Sequence, residues 1–277
     1  MKADLHCHSH FSDGKHTPEA LVQRATEVGL THLAITDHDY LHATSKLPAS
    51  DSVQLIPGVE ISCQWENQEI HVVGLCLDVT DRSLNALLQR QQQARRERMA
   101  AMDAKLQKIG IVGLAEFVAQ LPAQAVTRSH VADFLVTEGH SKSLQKAFKR
   151  YIGKRGKAYV PAQWHSLDDV VAAITMANGI AVLAHPGRYP LSKSKLDTLV
   201  KDFHQAGGEA LETNYGNVDP DEQKRLQDLA IHHKLYMSQG SDFHDSAAHW
   251  TDLGKFPPLN TQAKKNAIWL HPRWHSS

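Results

Sequence analysis

Short apolar runs recur along this chain, and most of them stop at a histidine or a carboxylate. Residues 31–36 run into Asp37-His38, and 53–62 carry Glu60. Residues 70–77 start beside His71, and 180–184 run into His185. Residues 235–238 lead to Ser241-Asp242-Phe243-His244, and the chain opens with Asp4-Leu5-His6-Cys7-His8. Runs that are apolar throughout, rather than alternating, suit strands buried on both faces. With 210–213 they make about seven strand candidates. Helical patterns lie between several of them. Thr17-Pro18-Glu19 combines an N-cap, a first-turn proline and an acid at the positive helix end, with Gly29 as a stop. Residues 167–178, 192–206 and 220–233 read as further amphipathic helices. Such alternation implies a parallel α/β architecture. Polar residues collected at strand ends are what a barrel active site requires.

Between residues 81 and 164 no convincing strand appears. Residues 84–109 read as one long helix, with shorter helical segments at 114–120, 128–138 and 144–151. The expected organisation is therefore a discontinuous barrel, residues 1–80 and 165–277, interrupted by an all-helical insertion over 81–164.

The polar residues at the strand ends are of metal-ligating types. Nine stand out: His6, His8, Asp13, His38, Glu60, His71, His185, Asp242 and His244. In a strand, residues two apart share a face about 6.5–7 Å from each other. His6 and His8 can thus converge on one ion, while Cys7 points away and packs. Imidazoles and carboxylates without thiolate suit Mn, Fe or Zn. Divalent ions so held lower the pKa of bound water, which predicts hydrolysis without a covalent protein intermediate. His10 continues the alternation and has a weaker claim. Asp37 and Asp245, each next to a ligand candidate, are expected to orient an imidazole or nothing at all. Histidines without a partner motif, among them His42, His140, His165, His249 and His271, are expected at the surface.

Bulk composition excludes several classes. With 277 residues and 42% hydrophobic content the chain can bury one large core or one core and an insertion. A formal net charge of zero argues against a protein that coats polyanions with its whole surface. The three cysteines form no CxxC pair, which fits a reducing cytoplasm. Neither a signal peptide nor a membrane-spanning run is evident.

The motifs Asp4-Leu5-His6-Cys7-His8, Ser12-Asp13-Gly14, Thr36-Asp37-His38, Pro57-Gly58-Val59-Glu60, Ala184-His185-Pro186 and Ser241-Asp242-Phe243-His244 occur here in one chain. In them the sequence resembles the polymerase-and-histidinol-phosphatase (PHP) family of metal-dependent phosphoesterases, over roughly residues 1–80 and 165–250. The resemblance implies a distorted seven-stranded β/α barrel around two or three divalent ions, Mn2+ being the expected metal and Fe or Zn the others. It implies that His6, His8, Glu60 and Asp242 hold one ion, Asp13, His38 and His244 a second, and Glu60, His71 and His185 a third. Glu60, Asp242 and His244 are then the residues closest to the chemistry.

The insertion supplies candidates for substrate binding. From Gly139 to Leu167 there is no acid but seven cations: Lys142, Lys146, Lys149, Arg150, Lys154, Arg155 and Lys157. Interleaved aromatics Phe148, Tyr151, Tyr159 and Trp164 suit a phosphate backbone with stacked bases. A solvated helix face is the plainer alternative. Thr127-Arg128-Ser129-His130 opens a helix, where backbone N–H groups and an arginine can cradle phosphate. Arg128, His130 and Arg188 are the expected phosphate contacts.

A short PHP-like chain with this insertion resembles the bacterial nucleotide-bisphosphate phosphatases, a group that also acts as 5′→3′ exoribonucleases in ribosomal RNA 5′-end maturation. Ser129 stands where that group usually has proline. The resemblance implies 5′-phosphorylated RNA or oligonucleotides and nucleotide 3′,5′-bisphosphates as substrates, with no membrane and no obligate protein partner. The alternatives are a small-molecule phosphatase of the histidinol-phosphate type, or a PHP-like binding module with an idle site.

Overall fold

Pro57 divides what the sequence presents as one strand. In the computed structural model, which describes residues 1–43, 47–247 and 251–276, the run over 53–62 becomes two elements in two different sheets. Strand β3 (Gln54–Leu55) completes a three-stranded parallel sheet with β1 (Ala3–Cys7) and β2 (His32–Ile35). Strand β4 (Gly58–Trp65) starts a five-stranded sheet that continues through β5 (Gln68–Leu75), β6 (Ile180–Leu183), β7 (Ala210–Tyr215) and β8 (Tyr236–Gly240). Proline has no N–H to give a ladder, so it marks a place where pairing stops and can change partner.

The expectation of parallel pairing throughout needs correcting. Strands β4 and β5 form an antiparallel hairpin with Trp65 opposite Gln68, and β5 also pairs antiparallel with β6. A turn of Glu66 and Asn67 is too short for the crossover that parallel neighbours require. Only β6–β7 and β7–β8 continue the parallel pattern in this sheet.

The two sheets do not merge into one closed ladder. They meet along two seams, each marked by a single parallel bridge: Cys7 with Phe243, and His38 with Glu60. Backbone bonds reinforce both seams, from His8 N to Phe243 O (2.9 Å), Asp242 N to His6 O (2.8 Å) and Asp39 N to Glu60 O (2.8 Å). The arrangement is a mixed α/β fold with barrel-like curvature, and the seams run through the ligand candidates themselves. As the apolar runs imply, β1, β6 and β7 are buried along their whole length.

The helices fall close to their expected places. Helix α1 (Pro18–Glu27) is capped by the Thr17 hydroxyl, which accepts from Ala20 N, and Gly29 takes a positive φ of 70° where it ends. Helices α6 (Leu167–Met176), α7 (Lys193–Gln205) and α8 (Pro220–His232) cover the larger sheet. No strand lies between β5 and β6 among the described residues. That interval holds α2 (Arg82–Gln107), α3 (Leu114–Ala119), α4 (Arg128–Thr137) and α5 (Leu144–Ala147), the last running into a π-helical turn over Phe148–Ile152. No helix among the described residues is long and apolar enough to cross a membrane.

Helix α2 ties this helical region to the sheets. Near its start, Leu84, Leu87 and Leu88 pack into the core under the larger sheet. Near its end, Met102 and Leu106 join a separate core with Leu114, Phe134, Leu135 and Ile152. Midway, buried Arg95 pairs with Asp39 and reaches Ser62 Oγ (2.8 Å), while Gln91 Nε2 donates to Ser62 O (2.5 Å).

Phe134 is fully buried in the helical core. Phe134→Ala is expected to cost about 3–5 kcal/mol in urea unfolding, with a lower midpoint in the probe that reports on the helical region. A change below about 1 kcal/mol would show that this core contributes little.

Candidate metal centre

Glu60 occupies the middle of a ring of imidazoles. Its carboxylate lies 3.3 Å from His6 Nε2, 3.4 Å from His8 Nε2, 3.0 Å from His38 Nδ1, 2.9 Å from His71 Nδ1 and 2.9 Å from His185 Nε2. Asp242 approaches the same group from the far seam, 3.5 Å from His6 Nε2 and 3.2 Å from His8 Nε2. Asp13 lies 3.3 Å from His244 Nε2 and 3.7 Å from His38 Nε2. All nine ligand candidates are brought together.

The backbone makes this possible in specific ways. His6 lies in β1 and His8 just beyond it, with ring centroids 5.2 Å apart. Cys7 turns to the opposite face, where its thiol donates to Ala34 O within a hydrophobic core. Asp13 returns to the site through a tight turn in which Ser12 N and Gly14 N both donate to Ser9 O. Gly14 is obligatory there, because a Cβ would lie 2.1 Å from His8 O. His185 and Asp242 have positive φ angles of 30° and 52°. Non-glycine residues in that region cost energy and concentrate at functional sites.

The ligand atoms fit a metal better than they fit each other. His6 Nε2, His8 Nε2, Asp13 Oδ1, His38 Nδ1, Glu60 Oε2 and His185 Nδ1 are buried without a hydrogen-bond partner. So many orphaned polar atoms at one place would be costly unless cations satisfy them. Among the nine candidates, three sets have donor atoms within 4.8 Å of one another: His8 with Asp13, His38 and His244; His6 with His8 and Glu60; and His38 with Glu60 and His71. His8 and His38 each stand in two sets, a sharing that the expected partition gave to Glu60 alone.

Electrostatics follow from this crowding. Burial opposes ionisation of Glu60, yet His71, His38 and His6 hold its carboxyl well below the usual range. Burial also opposes protonation of His71, but Glu60 and Glu69 push its imidazole up to about 10. His8 goes the other way, down to about 4, through burial and the neighbouring His244. In the metal-free protein some imidazoles thus supply the positive charge that the carboxylates demand.

Several supporting residues were not foreseen. Glu212 in β7 is buried; its carboxylate lies 3.1 Å from His6 Nδ1 and accepts from His185 N (2.6 Å). A carboxylate inside an otherwise apolar strand run was the available signal. Asp4 accepts from Ser241 N and Gly254 N, and burial pushes its carboxyl up to about 6. Asp37 does not reach an expected ligand directly. It accepts from Ser9 and Ser12, and Ser12 Oγ meets His8 Nδ1 at 3.3 Å. Its other partner is His42 (2.6 Å), which with His271 is buried rather than on the surface. His249 lies outside the described residues. His10 joins none of the ligand sets; its ring stands edge-on to Phe11.

A cavity of about 170 Å³ opens beside the centre, with Asp13, His38 and His71 on one wall and Arg98, Arg128 and Phe148 on the other. Arg128, the first residue of α4, lies 5.9 Å above the Phe148 ring and 3.5 Å from Glu69. Arg98, absent from the expected contacts, shares this wall. The two other substrate candidates are placed differently. His130 is buried and does not line the cavity; its Nδ1 accepts from Thr127 N (3.0 Å) and so caps α4. Arg188 pairs with Asp242 and donates to Gly216 O (3.1 Å). Ser129 N donates to Thr127 Oγ1 (3.1 Å), a bond the usual proline cannot make.

Residues 4–214 match the PHP domain. The chain belongs to this family. It is 43% identical over 260 residues to the 5′-3′ exoribonuclease Rnm of Escherichia coli, covering 91% of this chain and 88% of that protein. It is 36% identical over 264 residues to the 3′,5′-nucleoside bisphosphate phosphatase of Chromobacterium violaceum, covering 92% and 93%. A solved structure of a Chromobacterium violaceum amidohydrolase with bound sulfate and no metal superposes with a TM-score of 0.89, at 34% identity over 98% of this chain and 95% of that one. The PHP motifs are thus set in a chain that matches these relatives over nearly its full length.

The central place of Glu60 generates a direct prediction. Glu60→Ala should lower the metal retained per chain after dialysis, measured by elemental analysis, and abolish phosphoester hydrolysis with it. Full activity in a metal-free Glu60→Ala protein would remove Glu60 from the centre.

Proposed function

We propose that this chain is a metal-dependent phosphoesterase that hydrolyses the phosphate on the 3′ side of a 5′-phosphorylated nucleotide. On RNA it acts as a 5′→3′ exoribonuclease, and on nucleoside 3′,5′-bisphosphates as a phosphatase. The observation that carries this reading is the shared cavity, which joins the Glu60 cluster to Arg98 and Arg128. Relatives bearing both activities in their names, at 36% and 43% identity over nine-tenths of the chain, support it.

The orphaned donors and the all-imidazole and carboxylate composition fit two or three divalent ions, with Mn2+ as the expected metal and Fe or Zn compatible. His6, His8, Glu60 and Asp242 would hold one ion, Asp13, His38 and His244 a second, and Glu60, His71 and His185 a third. When bound, such ions activate water near neutral pH and offset charge on phosphate. We read residues 1–80 and 165–277 as the metal-bearing unit, and 81–164 as the substrate-binding unit. With β3 and β4 counted as one divided strand, the sheets amount to a distorted seven-stranded barrel.

The chain's own residues divide the remaining work. Arg128 offers a two-pronged contact to a terminal 5′-phosphate, with Phe148 beneath it. Glu69 sits against Arg128 and Arg98 and fixes their direction. Glu212 and Ser12 orient His6 and His8. His244 has the most exposed side chain of the nine candidates, at 34%. If the phosphate 3′ to the anchored nucleotide ends the molecule, attack there removes inorganic phosphate. If RNA continues, the same attack releases a 5′-mononucleotide.

An activity panel with Mn2+ tests this reading. Adenosine 3′,5′-bisphosphate and 5′-phosphorylated RNA should be hydrolysed, with 5′-hydroxyl RNA slower and histidinol phosphate inert. Products that appear first from the RNA 3′ end, or preference for histidinol phosphate, would overturn it. Arg128→Ala should retain metal and lose roughly ten- to a hundredfold in kcat/KM, the loss of a charge-assisted contact worth on the order of 1.5–3 kcal/mol. An unchanged kcat/KM on every phosphorylated substrate would remove Arg128 from the site.

A further inference from the structure

A second concave surface lies at the other end of α4, outside the cavity described above. It is a groove of about 660 Å³ lined by Lys142, Lys146, Lys149 and Arg150 together with His140, and no carboxylate lines it. All four cationic side chains belong to exposed residues. In a chain with formal net charge zero, this is a pronounced local excess of positive charge. A solvated helix face would mix the two signs; a concave surface of one sign concentrates polyanions.

The groove is connected to the catalytic cavity by the chain itself. Phe148 lies on the cavity wall beneath Arg128, and the next two residues, Lys149 and Arg150, line the groove. These three residues begin the π-helical turn over Phe148–Ile152, closed by the bond from Gly153 N to Phe148 O (2.8 Å). Insertions of this kind are frequent at functional sites. Helix α4 separates the two regions: Arg128 at its start faces the cavity, and Gly139, just past its end, rims the groove. Ten helical residues span about 15 Å, a distance that one nucleotide does not bridge and several do.

We propose that this groove is a binding track for the single-stranded RNA that continues beyond the nucleotide being removed. Lys142, Lys146, Lys149 and Arg150 contact successive phosphates, and His140 offers a ring to a base. This rests on the exoribonuclease reading above and adds a surface that a nucleoside bisphosphate does not reach. It makes RNA length a determinant of affinity.

The test is binding of the metal-loaded protein to a fluorescent 5′-phosphorylated RNA of about 16 nucleotides, the upper site size for one single-strand track. Its first linkages are phosphorothioates, which slow hydrolysis. The triple variant Lys142→Ala/Lys146→Ala/Lys149→Ala should bind at least tenfold more weakly at low salt. The slope of log Kd against log salt should fall by about 2, at roughly 0.7 per lost phosphate contact. The matching triple Lys→Arg variant should restore both. An unchanged affinity and slope would overturn the track. Polyglutamate competing as well as RNA would overturn it in favour of an acidic protein partner. Turnover of adenosine 3′,5′-bisphosphate by the unmodified protein is measured alongside. Turnover with no slope change sinks the track alone, whereas a slope change without turnover sinks the phosphatase reading and leaves the track standing.

Discussion

A buried carboxylate surrounded by five imidazoles is the interaction on which this structure turns. Burial opposes ionisation of the Glu60 side chain, only 1% exposed, yet His71, His38 and His6 hold its carboxyl well below the usual range. Each of those histidines comes from a different strand or strand end, apart from His6 and His8, which share β1 and its exit. The two sheets are therefore drawn together at the site, and both seams between them run through it. His38 and Glu60 form one bridge; the residue between His6 and His8 forms the other. A fold whose seams run through its ligand candidates has a core that depends on the charge balance there. An unpaired buried charge is among the more expensive defects a protein can carry.

The surroundings of the site answer the same demand in layers. Glu212, Asp4 and Asp37 are buried carboxylates, and each is satisfied by backbone N–H groups, hydroxyls or imidazoles. They fix the ring orientations and the loop after β8, so the strained backbone at His185 and Asp242 is held from several sides. Metal sites with such supporting contacts are less free to relax when one ligand moves. The helical region is locked to this arrangement through α2, whose Arg95 grips Asp39 one residue beyond His38. Trp164 lies beneath both Arg95 and Arg98, 4.9 and 5.6 Å from their guanidinium carbons. The cavity wall that faces the candidate metal centre is thereby built from a helix that also packs in the main core.

Helix α4 shows how one short motif serves two purposes. Thr127 and His130 cap each other's backbone, and the Thr127 hydroxyl also accepts from Ser129 N. That leaves Arg128, between them, free of capping duty and able to face the cavity. His130 is taken up by the Thr127 amide. Of the arginine and the histidine two residues apart, only the arginine lines the cavity.

The sequence by itself determined which residues would meet. The nine ligand types stand at the ends or inside of apolar runs, and hydrophobic burial leaves such residues one place to gather. Local signals also marked the helices: Thr17, read as an N-cap, caps α1, and the structure adds Asp81, Ser166, Ser192 and Asp219 as caps of α2, α6, α7 and α8. Strand direction was not legible. The period of an apolar run is the same in parallel and antiparallel pairs, so the β4–β5 hairpin and the pairing of β5 with β6 emerge only in three dimensions. The supporting carboxylate Glu212 carries no motif, and its role exists only through partners distant in the chain; the buried His42 carries none either, although its partner Asp37 is only five residues away. The fate of Arg188 was likewise decided by tertiary structure, whereas His130 turns to an amide three residues before it. A polar side chain near a site goes to whichever unsatisfied group lies within reach, and for these two that group is the Thr127 amide and the Asp242 carboxylate.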